Sequence, residues 1–430
     1  MAVPPERTSR RPQVPVGGDA PASPPAASAP ESPRQGAPRP FRGPSRVWYG
    51  EGAASRIGEC TAELGIAPGV ALLVTDAVVD RLGLARAVVD ALTASGFAIE
   101  RFADIPGEPT AEVADSAAAA ARRHRPVVVC GVGGGSVMDV AKLAAALARN
   151  AGGVLDYTGA AGRRFDAPSI PTVLVPTTAG TGSEASQNAV VTHGGYKIFA
   201  NSHPRLLAAG VLLDPRLTHS LPKTVTAHTG LDALSHCVEG MLSSGATPLT
   251  DATATQGIGL VFDALPRAYA DGADAEARAQ MLLAAYLGGL TLNAGMVLGH
   301  SIAYTIANRL HVPHGFSCAL ALPYAMAYSR DAAADRLRRI GWACGAGQRG
   351  AAGAAAPDDA VRRVQSLGLG LGMPEALQTL GLARDHLPDL VDECLARYPR
   401  PNNPRPLDGA PLLSLYTAMW EGRPAHAWRG

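Results

Sequence analysis

Four residues in the second half of the sequence have side chains that suit a divalent metal ion. Asp232 and His236 lie four residues apart within residues 230–239, and His300 and His314 follow further along the chain. If the first stretch is helical, its carboxylate and imidazole leave the same face one turn apart. One carboxylate and three imidazoles suit Fe(II) or Zn(II) and leave a position for a substrate oxygen. Taken alone, such a pair is more often a solvated helix face or a cap.

Length and composition indicate a globular protein with room for two domains. The chain has 430 residues, of which 47% are hydrophobic and 17% charged, enough to build large cores. A formal net charge of +1 indicates neither nucleic acid nor an acidic membrane as a partner, and no apolar run reaches the length of a membrane span. Six scattered cysteines without a CxxC pair indicate a reducing compartment without disulfide bonds. We therefore expect a cytoplasmic protein whose partners are small molecules.

The first 44 residues differ from the rest in composition. They hold 12 of the 35 prolines and six arginines, so they cannot bury enough apolar surface to fold alone. The segment lacks the apolar core of a secretory signal. A transit peptide is the alternative, although the prolines argue against its amphipathic helix. We predict a disordered tail over residues 1–44, or a gene start placed too far upstream, with order beginning near Val47.

Alternating strands and helices are predicted over residues 45–220. The strands are apolar almost throughout, which is typical of a parallel sheet covered by helices on both faces. The pattern predicts strands over residues 70–76, 99–102 and 126–132 and helices over residues 80–95 and 112–123. We therefore expect an α/β N-terminal domain with a Rossmann-like parallel sheet.

Helical periodicity replaces the strand pattern over residues 221–430, which predicts an all-helical C-terminal domain. Helices are predicted over residues 250–272, 274–293 and 295–309. Pro313 and Gly315 flank His314, and a chain break there places the imidazole near the start of the next helix. Residues 346–358, rich in alanine and glycine, are predicted to form a flexible surface insertion.

A glycine-rich turn joins the third predicted strand to a helix. It reads Gly-Gly-Gly-Ser over residues 133–136 and is followed by Asp139. Glycines let backbone N–H groups approach a pyrophosphate, and a helix N-terminus favours its negative charge. The spacing is not GxGxxG, so this signal is weak by itself. Asp76 ends the first strand, where a carboxylate can accept hydrogen bonds from ribose hydroxyls and repel a 2′-phosphate, or merely cap the next helix.

A second loop of small residues reads Val-Pro-Thr-Thr-Ala-Gly-Thr-Gly-Ser-Glu over residues 175–184. Hydroxyl side chains and glycines allow a backbone loop to wrap closely around a ligand. Without further context, the same composition also fits an ordinary polar loop.

Taken in order, these motifs resemble the iron-containing (group III) alcohol dehydrogenases over about residues 45 to 420. In that family an Asp and a His on one helix, then two further His, bind the metal, and both loops bind the dinucleotide. The resemblance implies a dehydroquinate synthase-like two-domain fold with the site in the cleft. It implies the metal ligands Asp232, His236, His300 and His314, and the cofactor-binding residues Asp76, Gly134, Gly135, Ser136, Asp139, Thr177, Thr178, Thr181, Asn188 and Lys197.

The resemblance also implies the cofactors and the reaction. NAD(H) is expected in preference to NADP(H), since an Asp at the position of Asp76 marks that preference in the family. The expected metal is Fe(II), with Zn(II) as the alternative. Such a metal polarises an aldehyde oxygen while nicotinamide delivers the hydride. We expect a homodimer that acts on a small aldehyde or alcohol. Lys197 has an alternative interpretation as a surface lysine.

One departure from the family pattern concerns Tyr304, four residues after His300. The family commonly has a second His there, which helps to relay a proton. Tyr304 is therefore the candidate for a proton relay, although a tyrosine pKa of about 10 suits that task less well. Residues 300–308, 311–315 and 402–407 resemble the phosphonoacetaldehyde reductases, also called hydroxyethylphosphonate dehydrogenases. This branch implies phosphonate biosynthesis.

The expected reaction is reduction of phosphonoacetaldehyde to 2-hydroxyethylphosphonate. The alternatives are a general iron-containing alcohol dehydrogenase, a maleylacetate reductase-like enzyme, a dehydroquinate synthase-like cyclase and a non-catalytic binding protein. A phosphonate group requires cationic donors near the metal. The candidate donors are Lys197, Arg205, Arg309 and Arg405, and the sequence does not choose among them.

Overall fold

Six parallel strands form the sheet of the N-terminal half in the computed structural model, which describes residues 38–159, 162–346 and 355–430. In spatial order they are β1 (Arg46–Tyr49), β8 (Gly210–Leu213), β5 (Thr172–Pro176), β4 (Val128–Gly133), β2 (Val70–Val74) and β3 (Ala98–Phe102). A separate antiparallel hairpin consists of β6 (Ala189–His193) and β7 (Tyr196–Ala200). The predicted Rossmann-like parallel sheet is confirmed, and β2, β3 and β4 are its three predicted strands.

Helices cover both faces of this sheet. Those of the N-terminal half are α1 (Ile57–Glu63), α2 (Ala77–Arg81), α3 (Arg86–Ala94), α4 (Ala111–His124) and α5 (Gly135–Leu147). On β2, Leu72 joins the core formed with α4 and α5, whereas Leu73 joins the core formed with α1 and α3. Because successive side chains of a strand point to opposite faces, a strand covered twice must be apolar throughout.

The predicted helix over residues 80–95 is wrong in its bounds, because two helices occupy that region. Asp76 caps α2, its carboxylate accepting hydrogen bonds from the Val78 and Val79 N–H groups at 2.8 and 2.9 Å. Gly83 then takes a left-handed conformation with φ of 67°, which a continuous helix does not contain. The chain therefore turns between α2 and α3.

The C-terminal half is helical, as predicted. Its helices are α6 (Lys223–Leu242), α7 (Pro248–Ala270), α8 (Ala275–Thr291), α9 (Leu298–Leu310), α10 (His314–Tyr328), α11 (Ala334–Ala343), α12 (Pro357–Gly370), α13 (Leu387–Arg397) and α14 (Gly409–Glu421). Pro313 stands at the N-cap position of α10, so His314 begins a helix as expected. Across the described ranges, no single helix is long and apolar enough to cross a membrane, although α8 and α9 pass that test as a bent pair.

Parts of the predicted tail and of the predicted insertion fall outside the described residues. Residues 1–37 of the predicted tail and residues 347–354 of the predicted insertion lie outside the described residues. Residues 38–44 of the predicted tail lie within the described residues, where the Arg42 N–H donates to Asn293 Oδ1 at 2.9 Å and Asn293 Nδ2 donates to the Arg42 carbonyl at 2.8 Å. The tail boundary at residue 44 stays a prediction. Contacts join Pro38–Gly430 into one unit, so the division into two domains at residue 220 stays a prediction. All six cysteines are free and buried.

Candidate metal and dinucleotide site

The four predicted metal ligands converge on one carboxylate. Asp232 and His236 leave the same face of α6, His300 lies in the first turn of α9, and His314 begins α10. Asp232 Oδ1 lies 3.8 Å from Nε2 of His300, 3.8 Å from Nε2 of His314 and 4.0 Å from Nε2 of His236. The helix spacing brings the first pair together, whereas helix packing brings in the other two imidazoles.

The charge states in this cluster suit a cation. Burial alone would raise the pKa of Asp232, but the imidazoles of His236, His314 and His300 together lower it below its usual range. Burial lowers the pKa of His236 and that of His314, against the opposing effect of Asp232. The carboxylate is therefore ionised and these two imidazoles are neutral, which are the forms that bind a metal ion.

One buried oxygen in the cluster needs a partner. Asp232 Oδ1 is buried and accepts no hydrogen bond from any of the residues that the structure describes, and a buried charged oxygen without a partner is costly. A carboxylate and three imidazoles provide the donor set that Fe(II) or Zn(II) prefers. The residues present therefore fit a divalent cation.

Glu239 also belongs to the cluster, through its contact with His300. It was not predicted from the sequence. Its Oε1 lies 2.6 Å from His300 Nδ1, and its Oε2 accepts from the backbone N–H groups of Val297 at 3.1 Å and His300 at 3.2 Å. Because a carboxylate only accepts, it fixes the His300 proton on Nδ1 and leaves Nε2 free to face Asp232. Its spacing of seven residues from Asp232, on the same helix face, is the signal that could have identified it.

Cys318 is a second neighbour that sequence reasoning missed. Its Sγ lies 3.5 Å from His314 Nε2 and 3.8 Å from His300 Nε2, and it groups with Asp232, His300 and His314 as a possible metal donor. Burial and the Asp232 carboxylate raise the pKa of this thiol well above its usual range, which favours the protonated form. The position one turn after His314 is the available sequence signal.

A cavity of about 190 Å³ joins the cluster to the predicted dinucleotide loops. Its lining includes Asp232 and the three imidazoles on one side. Six of the predicted cofactor residues line it as well, namely Gly135, Ser136, Asp139, Thr181, Asn188 and Lys197. The glycine-rich turn and the metal cluster, which are far apart in sequence, therefore share one cavity.

The two predicted cofactor loops pack directly against each other. A Cβ atom on Gly135 would lie only 2.6 Å from Thr181 Cγ2, so the close approach of the second loop requires glycine there. The Thr177 N–H donates to the Gly133 carbonyl at 3.0 Å. Gly134, Thr177 and Thr178 belong to this contact rather than to the lining of the cavity.

Asp139 has protein partners in addition to its place in the cavity. Its carboxylate accepts from the Val190 N–H at 3.0 Å and from the Ser183 hydroxyl, and it lies 3.1 Å from Lys142 Nζ. Lys142 is buried and also donates to the Ser183 carbonyl at 2.9 Å. Sequence reasoning assigned no role to Lys142, which holds α5 against the second loop.

Of two further predicted cofactor residues, Lys197 lines the cavity and Asp76 does not. Asp76 caps α2, as the simpler interpretation predicted, and it does not line the described cavity. Lys197 is not a surface lysine, because its side chain is only 10% exposed and its Nζ lies 2.7 Å from Glu108 Oε2. Among the four predicted anion donors within the described residues, Lys197 alone lines the cavity, whereas the guanidinium of Arg405 packs 4.4 Å from the ring centre of Tyr328.

Tyr304 lies against the cluster but is poorly suited to transfer protons. Its ring stacks on His314 with centres 5.2 Å apart and meets His300 edge-on at 5.9 Å. Burial raises the pKa of its phenol far above the usual range, so the hydroxyl keeps its proton near neutral pH. The relay role of Tyr304 stays a prediction. In the structure its side chain forms part of the cavity wall.

Comparison with known proteins assigns the family. The parallel sheet and the buried cluster fit the class of metal-dependent enzymes that bind a dinucleotide. A family model described as iron-containing alcohol dehydrogenase matches residues 44–215, and one described as the C-terminal part of the Fe-containing alcohol dehydrogenase family matches residues 226–420. The chain therefore belongs to the iron-containing alcohol dehydrogenase family.

Individual relatives act on different substrates. Long-chain-alcohol dehydrogenase 1 of Geobacillus thermodenitrificans (strain NG80-2) is 35% identical over 354 residues, covering 82% of this chain and 89% of that protein. The crystal structure of 1,3-propanediol oxidoreductase has a TM-score of 0.83 at 29% identity, covering 89% and 100% of the two chains. That of sulfoacetaldehyde reductase from Bifidobacterium kashiwanohense in complex with NAD+ has a TM-score of 0.79 at 29% identity, covering 89% and 99%.

Proposed function

We propose that this enzyme catalyses the metal-dependent, NADH-linked reduction of a small anionic aldehyde, with phosphonoacetaldehyde as the substrate and 2-hydroxyethylphosphonate as the product. The observation that carries this proposal is the single cavity lined by both the Asp232 cluster and the Gly135 turn. A site of this kind holds an aldehyde between a metal and a hydride donor. Family membership favours a dehydrogenase over a cyclase.

The proposed metal ligands are Asp232, His236, His300 and His314. Fe(II), or Zn(II) as the alternative, supplies a Lewis acid for the carbonyl oxygen when bound. Glu239 holds His300 in the tautomer with a free Nε2. Tyr304 covers the imidazole of His314 and helps to keep water from this end of the cavity.

The proposed dinucleotide site lies at the glycine-rich turn. Bound NADH supplies the hydride. The N-terminus of α5, at Gly135 and Ser136, provides N–H groups for the pyrophosphate. Asp76 is proposed to favour NADH over NADPH by repelling a 2′-phosphate from the end of β2, in addition to its observed role as a cap.

The anionic character of the substrate is proposed from two observations. The cavity contains a lysine, Lys197, beside the metal cluster. The related sulfoacetaldehyde reductase acts, by its name, on an aldehyde with a sulfonate group, and a phosphonate is also a tetrahedral oxyanion. Similarity to a long-chain-alcohol dehydrogenase supports a second candidate, a dehydrogenase for uncharged alcohols.

The test is an NADH-oxidation screen with metal-loaded protein. The aldehydes are phosphonoacetaldehyde, succinic semialdehyde, lactaldehyde, maleylacetate and propanal. We expect the highest kcat/KM for phosphonoacetaldehyde, and a value lower by roughly two orders of magnitude for propanal, which lacks a charge-assisted contact of about 2–3 kcal/mol. Equal values for propanal and phosphonoacetaldehyde would reject the anionic substrate and favour the second candidate.

A homodimer is proposed from the edge of the sheet. β1 is an edge strand, and its Val47 and Tyr49 side chains are 41% and 51% exposed. An edge strand with exposed apolar side chains offers unpaired backbone groups to a second copy. Light scattering should give twice the mass of the chain, and replacing Val47 with Lys should shift the mass toward that of the monomer. A monomeric wild type would reject this proposal.

A further inference from the structure

Arg400 combines a positive charge with an unpaired guanidinium nitrogen. Its Nε donates to Ser301 Oγ at 3.0 Å, whereas its Nη2 is buried and has no hydrogen-bond partner within the described part of the chain. Of the 24 ion pairs in that part, none includes Arg400. A buried N–H group and a charge without counterparts favour an anionic ligand.

This guanidinium lies behind one wall of the cavity. Its centre is 6.0 Å from the ring centre of Phe199 and 6.0 Å from that of Tyr304, and both rings line the cavity. The two rings meet edge to face with their centres 5.5 Å apart. Tyr304 also stacks on His314. About one aromatic ring therefore separates Arg400 from the end of the cavity that contains the metal cluster.

Lys197, the cation that lines the cavity, already has a carboxylate partner. Lys197 Nζ lies 2.7 Å from the Glu108 carboxylate, so its charge is partly cancelled before a substrate binds. Arg400 lies behind the cavity wall, and no carboxylate within the described residues pairs with it. Because its guanidinium centre lies 6.0 Å from the ring centres of Phe199 and Tyr304, its positive charge is close to residues that line the cavity.

We propose that Arg400 is the specificity-determining residue that binds a tetrahedral oxyanion, a phosphonate or a sulfonate, one methylene away from the aldehyde carbon. Nη2 donates to an oxygen of the anion once the Phe199 side chain rotates away from the guanidinium. Phe199 lies on β7, in the hairpin outside the six-stranded sheet, so its rotation leaves that sheet intact. This inference rests on the proposed aldehyde reductase function and assigns its substrate specificity to a residue that the sequence did not indicate.

The test compares Arg400→Met with Arg400→Lys in metal-loaded enzyme. The kcat/KM is measured with phosphonoacetaldehyde, sulfoacetaldehyde and propanal. We expect Arg400→Met to lose about 30- to 100-fold with both anionic aldehydes and less than about threefold with propanal, because propanal has no anionic group to contact the guanidinium. Arg400→Lys should regain part of the loss, since a lysine keeps the charge but not the planar donor geometry.

Arg397→Met is the matched control. Arg397 precedes Arg400 by three residues, and its guanidinium packs on Tyr196, 3.6 Å from the ring centre. Tyr196 does not line the cavity, unlike the two rings next to Arg400. The Arg397→Met substitution also removes one positive charge near Arg400. Because it leaves the proposed contact with the anion in place, the preference for anionic aldehydes should not change. A second readout is calorimetric binding of ethylphosphonate and ethanesulfonate to metal- and NAD-loaded protein, which requires no turnover. Arg400→Met should abolish this binding, and its melting curve should show that the variant is still folded.

Three results would overturn the assignment of Arg400. They are an unchanged kcat/KM with all three aldehydes in Arg400→Met, an equal loss with all three aldehydes, and a wild type that prefers propanal. In the last case the reductase function survives, because propanal is still reduced. A wild type that reduces none of the aldehydes rejects the proposed function instead, and the binding of ethylphosphonate then decides the role of Arg400 separately. A difference between ethylphosphonate and ethanesulfonate identifies the preferred anion.

Discussion

Replacing Glu239 with Gln should weaken metal binding without touching any proposed metal ligand. In the native protein, Glu239 Oε1 accepts a hydrogen bond from His300 Nδ1 at 2.6 Å. Glu239 Oε2 accepts hydrogen bonds from the backbone N–H groups of Val297 and His300. All three donors therefore converge on one acceptor-only group. The His300 imidazole consequently presents Nε2, without a proton, to the Asp232 oxygen 3.8 Å away.

An amide cannot satisfy this arrangement. If the amide nitrogen of the Glu239→Gln variant faced His300 Nδ1, the imidazole would have to move its proton to Nε2, which removes the lone pair needed by the metal. If the amide oxygen faced His300 instead, the NH₂ group would oppose the two backbone N–H groups at the start of α9. Either way a buried charge-assisted hydrogen bond worth about 1.5–3 kcal/mol is lost. Metal affinity should therefore fall by about 10- to 100-fold.

The assay is an anaerobic titration of Fe(II) in competition with a chelator. Glu393→Gln is the matched control, since Glu393 accepts from Asn308 Nδ2 at 2.7 Å and does not line the cavity. We expect the control to bind Fe(II) like the wild type. A Glu239→Gln affinity within about threefold of the wild type would refute the idea that Glu239 sets the His300 tautomer, because second partners of metal-bound histidines usually matter more than that.

Three further predictions address other parts of the site. His236→Ala should lose most bound metal while Cys318→Ser keeps it, as measured by elemental analysis; the reverse result would make the thiol the fourth ligand. Burial raises the pKa of Glu184 from 4.5 to about 7, so its contribution to stability is complete below pH 4.5 and is lost as the pH rises through 7. The wild type should lose up to about 3 kcal/mol over that window, and denaturation of Glu184→Gln should show no such slope. Asp76→Gly should narrow or reverse an NADH preference at little cost in stability, since glycine is tolerated at N-caps; a wild type that uses NADPH equally well would leave Asp76 only its capping role.

Local spacing was sufficient to predict much of the fold and one pair of residues in the cluster. The near-continuous apolar strands predicted the parallel sheet, because only strands covered on both faces have that composition. The spacing of Asp232 and His236 placed both side chains on one helix face, because the helical repeat fixes that geometry within a single element. Pro313 similarly predicted that His314 begins a helix, and α10 begins there.

The remaining features depend on contacts between distant parts of the chain. Glu239 pairs with a histidine 61 residues away, and Arg400 reaches the cavity wall because Tyr304 and Phe199 lie together where α9 meets β7. No local period encodes these contacts, since they follow from how the helices pack on the sheet. The sequence by itself determined which chemical groups were present and which of them shared an element. The tertiary structure decided which groups face each other, because burial and hydrogen bonding are set by the elements packed around each side chain rather than by its neighbours in sequence.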